Sequence, residues 1–173
     1  METTANEFWR GQIKRVYAIN PALLILLAPV VFLAHILEEA PAFMQWLNTI
    51  TFPPVPEGSF LAANWPTLLI TAILAVAAAS LPYKAPALAL LVWLSYFMFA
   101  NTLFHIAATL ALRRYCPGLI TSVGLYLPYF FWFTAYVKSR FQTRNRVIAG
   151  AAAGSTLLVY LEWHRVILDA ALR

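Results

Sequence analysis

The sequence is poor in charged residues. Only 11% of its 173 residues are Asp, Glu, Lys or Arg, whereas 62% are hydrophobic. A soluble domain has about a quarter charged residues, and it needs them to cover its surface. This composition therefore excludes an ordinary soluble domain and predicts a protein whose solvent is lipid.

Cysteine pairs and clustered basic residues are also lacking. Cys116 is the single cysteine, so an intramolecular disulfide is excluded. The 12 Lys and Arg outnumber the 7 Asp and Glu, but they lie at the ends of apolar runs rather than in one patch. Nucleic acid is therefore not an expected partner, and membrane lipids are.

Long apolar runs predict the fold. A transmembrane helix needs about 20 apolar residues, and suitable runs cover 21–40, 66–81, 86–112, 119–137 and 147–169. We predict an all-α, polytopic membrane helix bundle of about five transmembrane helices, with 21–173 as its single domain. Pro29 should kink the first helix, and a neighbouring side chain should satisfy the carbonyl group that it frees.

Two segments differ from these runs. Residues 1–20 combine aromatic and basic side chains, which predicts an amphipathic segment at the membrane interface. Residues 41–65 contain four prolines and Gly58, which predicts a re-entrant or interfacial segment. Near the C-terminus, Gly150 and Gly154 have the spacing that lets helices approach closely, either within the bundle or in a homodimer.

Basic residues predict the orientation. Lys and Arg are more frequent on the side of the N-terminus, which includes Lys84 and the stretch 138–146, than on the other side. The positive-inside rule then places the N-terminus in the cytoplasm and the C-terminus outside.

Ionisable residues within apolar runs are costly in a membrane, so each needs a partner or a function. His35, Glu38 and Glu39 have i, i+3 and i+4 spacing, which places them on one face of a helix. At about 1.5 Å per residue, groups from all five helices reach one level in the outer half of the bilayer: His35, Glu38, Asn64, His105, Thr121, Ser122 and Glu162.

Imidazole and carboxylate groups at one level predict a metal site. We expect His35, Glu38 and His105 to bind Zn²⁺ or Fe²⁺, with Glu39 or Glu162 as acid or base. Further candidates, expected to orient a ligand or contact substrate, are Asn101, Asn64, Tyr115, Arg114 and His164. Purely structural roles stay open for all of them, such as a helix end at the interface, a buried neutral histidine or a turn.

Three motifs resemble those of a known family, the bacterial HXXEE-domain membrane proteins. The family's HXXEE motif, later histidine and YXPG turn correspond to His35-Ile-Leu-Glu38-Glu39, His105 and Tyr115-Cys-Pro117-Gly118, in that order. The resemblance implies a shared role for these residues and a location in the bacterial inner membrane. It supplies no reaction.

The leading hypothesis is a metal-dependent membrane enzyme acting on a lipid or isoprenoid-like substrate, with segment 41–65 as a cover for the cavity. A proton-coupled small-solute transporter that uses Glu38 or Glu39 is a second hypothesis. A third is a non-catalytic accessory subunit in which the polar cluster holds helices together. The sequence leaves open the substrate, the reaction, the metal and the oligomeric state.

Overall fold

The computed structural model describes residues 20–51, 54–56 and 58–172, and the regular structure of these residues is helical. The helices are α1 (Pro21–Glu39), α2 (Phe43–Asn48), α3 (Ser59–Ser80), α4 (Lys84–Leu112), α5 (Leu119–Phe141) and α6 (Asn145–Ala171). The predicted all-helical fold is confirmed. The interfacial segment predicted for residues 1–20 lies outside the described residues, except for Asn20.

The helices fit a membrane. In the described part of the chain, α1, α3, α4 and α5 are long and apolar enough to cross a bilayer, which is consistent with an integral membrane protein and close to the predicted bundle of about five helices. Helix α6 has 27 residues but is less apolar, because it contains glycines, Glu162 and His164. It packs along α4, which is the central helix and contacts α3, α5 and α6.

Pro29 interrupts α1 as predicted. The helix divides into Pro21–Ile25 and Ala28–Glu39, with a turn between them. Pro29 has no N–H group to donate to the carbonyl of Ile25, four residues earlier. The Tyr129 hydroxyl of α5 donates to this carbonyl at 3.0 Å, so a neighbouring helix satisfies the freed acceptor.

The Pro-rich segment is more helical than we predicted. Within 41–65, α2 forms a short helix, and α3 already begins at Ser59 and continues through Pro66. On either side of Pro66, the Asn64 and Thr67 side chains donate to backbone carbonyls one turn earlier in the helix.

Two π-helical turns interrupt the helices. Ser95–Ala100 lies within α4, and Ser122–Tyr126 lies within α5. Each adjoins a polar residue that contacts His35, Asn101 in α4 and Thr121 in α5. Such turns are rare and occur frequently at functional sites.

The glycine pair of α6 packs against nothing in the described chain. A Cβ atom added at Gly150 or Gly154 would meet no atom within 4 Å. Close packing inside the bundle therefore does not explain their spacing.

Candidate metal centre

Three buried side chains from α1 and α4 form a cluster. His35 and Glu39 lie one helical turn apart on α1, and His105 faces them from α4. Their exposed fractions are 2%, 7% and 0%. One potential ligand atom from each residue lies within 4.8 Å of those of the other two, as a shared metal ion requires.

The distances within the cluster suit a tetrahedral ion. The Nε2 atom of His105 lies 3.3 Å from Glu39 Oε1, and that of His35 lies 3.4 Å from Glu39 Oε2. Two ligands of a tetrahedral Zn²⁺ ion, each about 2.0–2.1 Å from the metal, are about 3.4 Å apart. Charged N–H···O hydrogen bonds are shorter, at about 2.7–2.9 Å. The two separations are therefore compatible with ligands of one ion.

The other ring nitrogen of each histidine has its own partner. His35 Nδ1 lies 2.8 Å from Thr121 Oγ1, and His105 Nδ1 lies 3.2 Å from Cys116 Sγ. Burial raises the pKa of the Cys116 thiol to about 12, so this sulfur is an uncharged partner at neutral pH. When both Nδ1 atoms carry the proton, both Nε2 lone pairs point towards Glu39, which is the arrangement of metal-binding histidines.

With both protons on Nδ1, the hydrogen-bond acceptors of the cluster lie close together. Two imidazole lone pairs and a carboxylate then converge in a buried space, where unpaired acceptors are costly. The Asn101 amide, one turn before His105, lies 3.1 Å from His35 Nε2 and 3.2 Å from His105 Nε2. It can donate to these nitrogens, but in this arrangement no N–H or O–H group of the described residues donates to the Glu39 oxygens. A cation between the three residues would satisfy the remaining acceptors.

Aromatic rings cover the histidines. The Tyr126 ring lies 4.3 Å from the His35 ring, and the Phe104 ring lies 5.3 Å from the His105 ring, measured between centroids. This packing excludes water from the backs of both imidazoles and strengthens electrostatic interactions at the cluster.

Gly118 closes the cluster on one side. Its φ of 97° lies in the left-handed region that favours glycine. A Cβ atom here would lie 2.6 Å from His105 Cε1, 2.8 Å from His35 Cε1 and 2.9 Å from Glu39 Cγ. Glycine is thus required both by the backbone conformation and by the close approach of the three side chains.

Glu38 contributes to the loop and not to the cluster, so our expectation that it is a metal ligand needs correction. Its carboxylate accepts hydrogen bonds from the backbone N–H groups of Gly118 (3.2 Å), Ile120 (3.1 Å) and Thr121 (2.7 Å). These groups are at the start of α5, where unpaired N–H groups attract an anion. Glu39, which we expected to act as acid or base, lies in the cluster with His35 and His105.

Tyr115 also binds Glu38. Its hydroxyl donates to the carboxylate. Burial, together with this bond, raises the pKa of Tyr115 to about 12, so the hydroxyl carries its proton at neutral pH. The first and last residues of the YXPG turn, Tyr115 and Gly118, are therefore both attached to the first carboxylate of the HXXEE motif.

A cavity of about 280 Å³ borders the cluster. Residues of α1, α2, α3, α4 and α6 line it, and most of them are apolar or aromatic. Two residues of the cluster, His35 and Glu39, line the cavity. Asn101 beside them and Asn64 of α3 also line it. Such a mixture, mainly apolar with a few convergent polar groups, is typical of small-molecule sites.

Glu162 and His164 lie away from the cluster. The Glu162 carboxylate is exposed and accepts a hydrogen bond of 2.7 Å from the Tyr96 hydroxyl. His164 Nδ1 lies 2.9 Å from the Tyr160 carbonyl oxygen, and the side chain lines a separate, apolar cleft between α4 and α6. Neither residue is placed to bind the same ion as His35 and His105.

Arg114 has a structural position. Its guanidinium donates to Thr49 Oγ1 and lies 5.7 Å from the centre of a Trp46 ring. Met44 and Leu47 of α2 line the cavity, so α2 covers it on one side. The contacts of Arg114 with Thr49 and Trp46 attach this cover to the loop that precedes α5.

Sequence reasoning missed Tyr96, which lines the cavity. Tyr96 and Asn101 are five residues apart, a spacing that does not share a face in a regular α-helix. The π-helical turn Ser95–Ala100 lies between them, and π-helices pair residues five apart. The sequence carries no clear signal for such a turn.

The comparisons with known proteins agree with the motifs. Residues 26–133, more than half of the chain, match the family model described as a protein of unknown function with HXXEE motif. Neither the curated proteins nor the solved structures gave a significant match. The matched region includes α3 and α4 and contains both histidines, both glutamates and the YXPG turn. The chain therefore belongs to the family of proteins of unknown function that carry the HXXEE motif.

Proposed function

We propose that this protein is a membrane-embedded, metal-dependent enzyme that acts on a hydrophobic small molecule of lipid or isoprenoid type. One observation carries the proposal: two histidine Nε2 atoms and the Glu39 carboxylate converge in a buried cluster, and His35 and Glu39 of this cluster line a largely apolar cavity. A soluble substrate would have to leave water to enter such a space, whereas a lipid-soluble one is already concentrated around the helices.

His35, Glu39 and His105 would hold the ion, and three protein ligands leave a position open for water or substrate. A bound Zn²⁺ or Fe²⁺ ion would supply Lewis acidity towards a water or substrate oxygen. Thr121 and Cys116 fix the orientation of the imidazoles through Nδ1. Asn101 lies beside both Nε2 atoms and can hold a polar group of the substrate.

The proposed acid or base is Tyr96 together with Glu162. Tyr96 lines the cavity, and its hydroxyl donates to the Glu162 carboxylate at 2.7 Å. A proton released from the cavity can therefore pass through the Tyr96 hydroxyl to a carboxylate at the surface of the bundle. Glu162, which we expected to act directly, would then act through this tyrosine.

The proposed location is the bacterial inner membrane, with the N-terminus in the cytoplasm and the C-terminus outside. The excess of Lys and Arg on the N-terminal side supports this orientation. The site would then lie in the outer half of the bilayer, and substrate would reach it from the surrounding lipid.

Elemental analysis of detergent-purified protein tests the proposal. We expect about one Zn or Fe per chain after growth in supplemented medium or reconstitution, because three ligands of suitable type converge. Glu39→Gln and His105→Asn should lose the metal. Glu162→Gln and His164→Gln are matched controls, since the same residue types are changed outside the cluster, and they should retain it.

Two outcomes would overturn the proposal. Wild-type protein that binds neither metal after reconstitution, while remaining folded, would leave an accessory subunit in which the cluster only holds α1 against α4. Uptake of a solute into proteoliposomes, driven by a pH gradient and abolished by Glu39→Gln, would instead identify a proton-coupled transporter.

A further inference from the structure

The cavity has a second polar wall on α3. Asn64 lines it, and its Nδ2 group donates to the Phe60 carbonyl oxygen at 2.9 Å. Because a carbonyl oxygen accepts only from the amide nitrogen, this bond fixes the orientation of the side chain. Among the described residues, nothing donates to Asn64 Oδ1. Ser59 lines the same wall and adds a hydroxyl group.

The Phe43 ring lines the cavity and lies near both polar walls, that of the cluster and that of α3. It lies 6.3 Å from the His105 ring and 5.8 Å from the Phe60 ring, measured between centroids. Phe60 is one helical turn from Asn64. One aromatic ring therefore lies close to residues of both walls, so a ligand with a single substituted ring can reach from the cluster towards α3.

The cavity volume limits the ligand. A cavity of about 150 Å³ binds benzene, so the present volume of about 280 Å³ suits a molecule of roughly ten to twelve non-hydrogen atoms. The remaining lining includes Phe32, Phe43 and Phe97, which favour an apolar or aromatic body.

We infer that the cavity binds a neutral, largely apolar compound with two polar ends. One end is an oxygen that faces His35, Glu39 and His105. The other, about one ring length away, is a hydroxyl or N–H donor that binds Asn64 Oδ1. The first contact rests on the proposed function, whereas the second depends only on the α3 wall. Asn64 is thus a specificity-determining residue, which accepts a donor that a plain hydrocarbon lacks.

Two pairs of probes test the two ends separately. On Zn²⁺-loaded protein, we would compare para-hydroxybenzohydroxamate with para-methylbenzohydroxamate by calorimetry. On metal-stripped protein, we would compare para-ethylphenol with para-ethyltoluene. In each pair, only a hydroxyl replaces a methyl group, and partition into detergent cancels when wild type and variant are compared.

The expected readout is the ratio of dissociation constants within each pair. Asn64→Leu should lower the preference for the hydroxyl probe by about two- to tenfold, the effect of one hydrogen bond. Asn64→Asp retains an acceptor and should preserve the preference. Thr67→Val, one turn along α3 and outside the cavity lining, should leave it unchanged, and thermal unfolding checks that each variant folds.

The outcomes separate this inference from the metal proposal. If the phenol preference depends on Asn64 but neither hydroxamate binds, the α3 subsite stands and the metal proposal fails. If hydroxamates bind Zn²⁺-loaded protein and neither probe pair responds to Asn64→Leu, the metal proposal stands and the inference is overturned. A lack of response to Asn64→Leu in both pairs overturns the inference whether or not metal binds.

Discussion

The buried histidine pair has two different sides. On the loop side, Gly118, Thr121 and Cys116 contact the imidazoles closely, and no room is left for a ligand. On the cavity side, Glu39 and Asn101 border a space of about 280 Å³. One side therefore fixes the rings, and on the other side the two groups that approach both Nε2 atoms also border the cavity.

Adjacent carboxylates serve these two sides. Glu38 binds backbone N–H groups of the loop, whereas Glu39 faces the two Nε2 atoms. Two neighbouring residues of one motif thus have separable roles, because successive side chains on a helix point about 100° apart. Five substitutions, in four predictions, can break or sharpen this contrast.

Exchanging the two carboxylates for amides should give the largest difference. Glu39→Gln removes the only anionic ligand, so we expect metal affinity to fall by more than about a hundredfold. Glu38→Gln should lower it by about tenfold or less, because Glu38 acts through the loop. Competition with a metal chelator measures both. Equal losses in the two variants would contradict the separation of roles.

Gly118→Ala should be the most destabilising change on the loop side. The new Cβ atom meets three side-chain atoms at 2.6–2.9 Å, and alanine is strained at a φ of 97°. We expect a loss of about 2–4 kcal/mol in unfolding free energy. Gly124→Ala is the control, since its Cβ atom would meet nothing within 4 Å. A tolerated Gly118→Ala would show that the loop does not press on the cluster.

Thr121→Val tests how the loop side controls the cavity side. The change keeps the shape of the side chain but removes the oxygen that lies 2.8 Å from His35 Nδ1. Loss of such a partner lowers metal affinity by about ten- to a hundredfold. Folding should be affected less than metal binding, as thermal unfolding with and without Zn²⁺ would show. Thr67→Val, on α3, is the matched control.

Tyr115→Phe should give the smallest effect, about 0.5–1.5 kcal/mol for one hydrogen bond. The pKa of Tyr115 rises from 10.0 to about 12. Because the folded state binds this proton more tightly, its contribution is complete below pH 10 and is lost as the pH rises towards 12. The difference in unfolding free energy between wild type and Tyr115→Phe should therefore shrink over this pH range. A constant difference would contradict the bond to Glu38.

The sequence predicted the helical fold and singled out His35, Glu38, Glu39 and His105, but not how the two glutamates divide between the loop and the cluster. Hydropathy identifies α1, α4 and α5, and i, i+3 and i+4 spacing identifies the His35 face of α1. That spacing is compatible with either glutamate as a ligand. The choice depends on N–H groups of the loop before α5, which is 80 or more residues away in sequence.

The sequence also gave no signal for the contact of Cys116 or for the start of α3. Cys116 is a lone cysteine in sequence and becomes a partner of His105 only through the turn. The start of α3 was missed because prolines in 41–65 concealed a helix that begins at Ser59 and tolerates Pro66. The first miss depends on a turn that brings Cys116 back to α4, and the second on a helix that continues through a proline.

The π-helical turn Ser95–Ala100 makes α4 sensitive to length. It sets the rotational phase between the apolar first part of the helix, where Leu90 and Leu94 are fully buried, and the part that carries Asn101 and His105. Forcing the same number of residues into a regular α-helix would turn one part against the other by about 100°. Either the leucines would face lipid or the histidine would leave its partner, so the extra residue that this wide turn takes up keeps both faces in place.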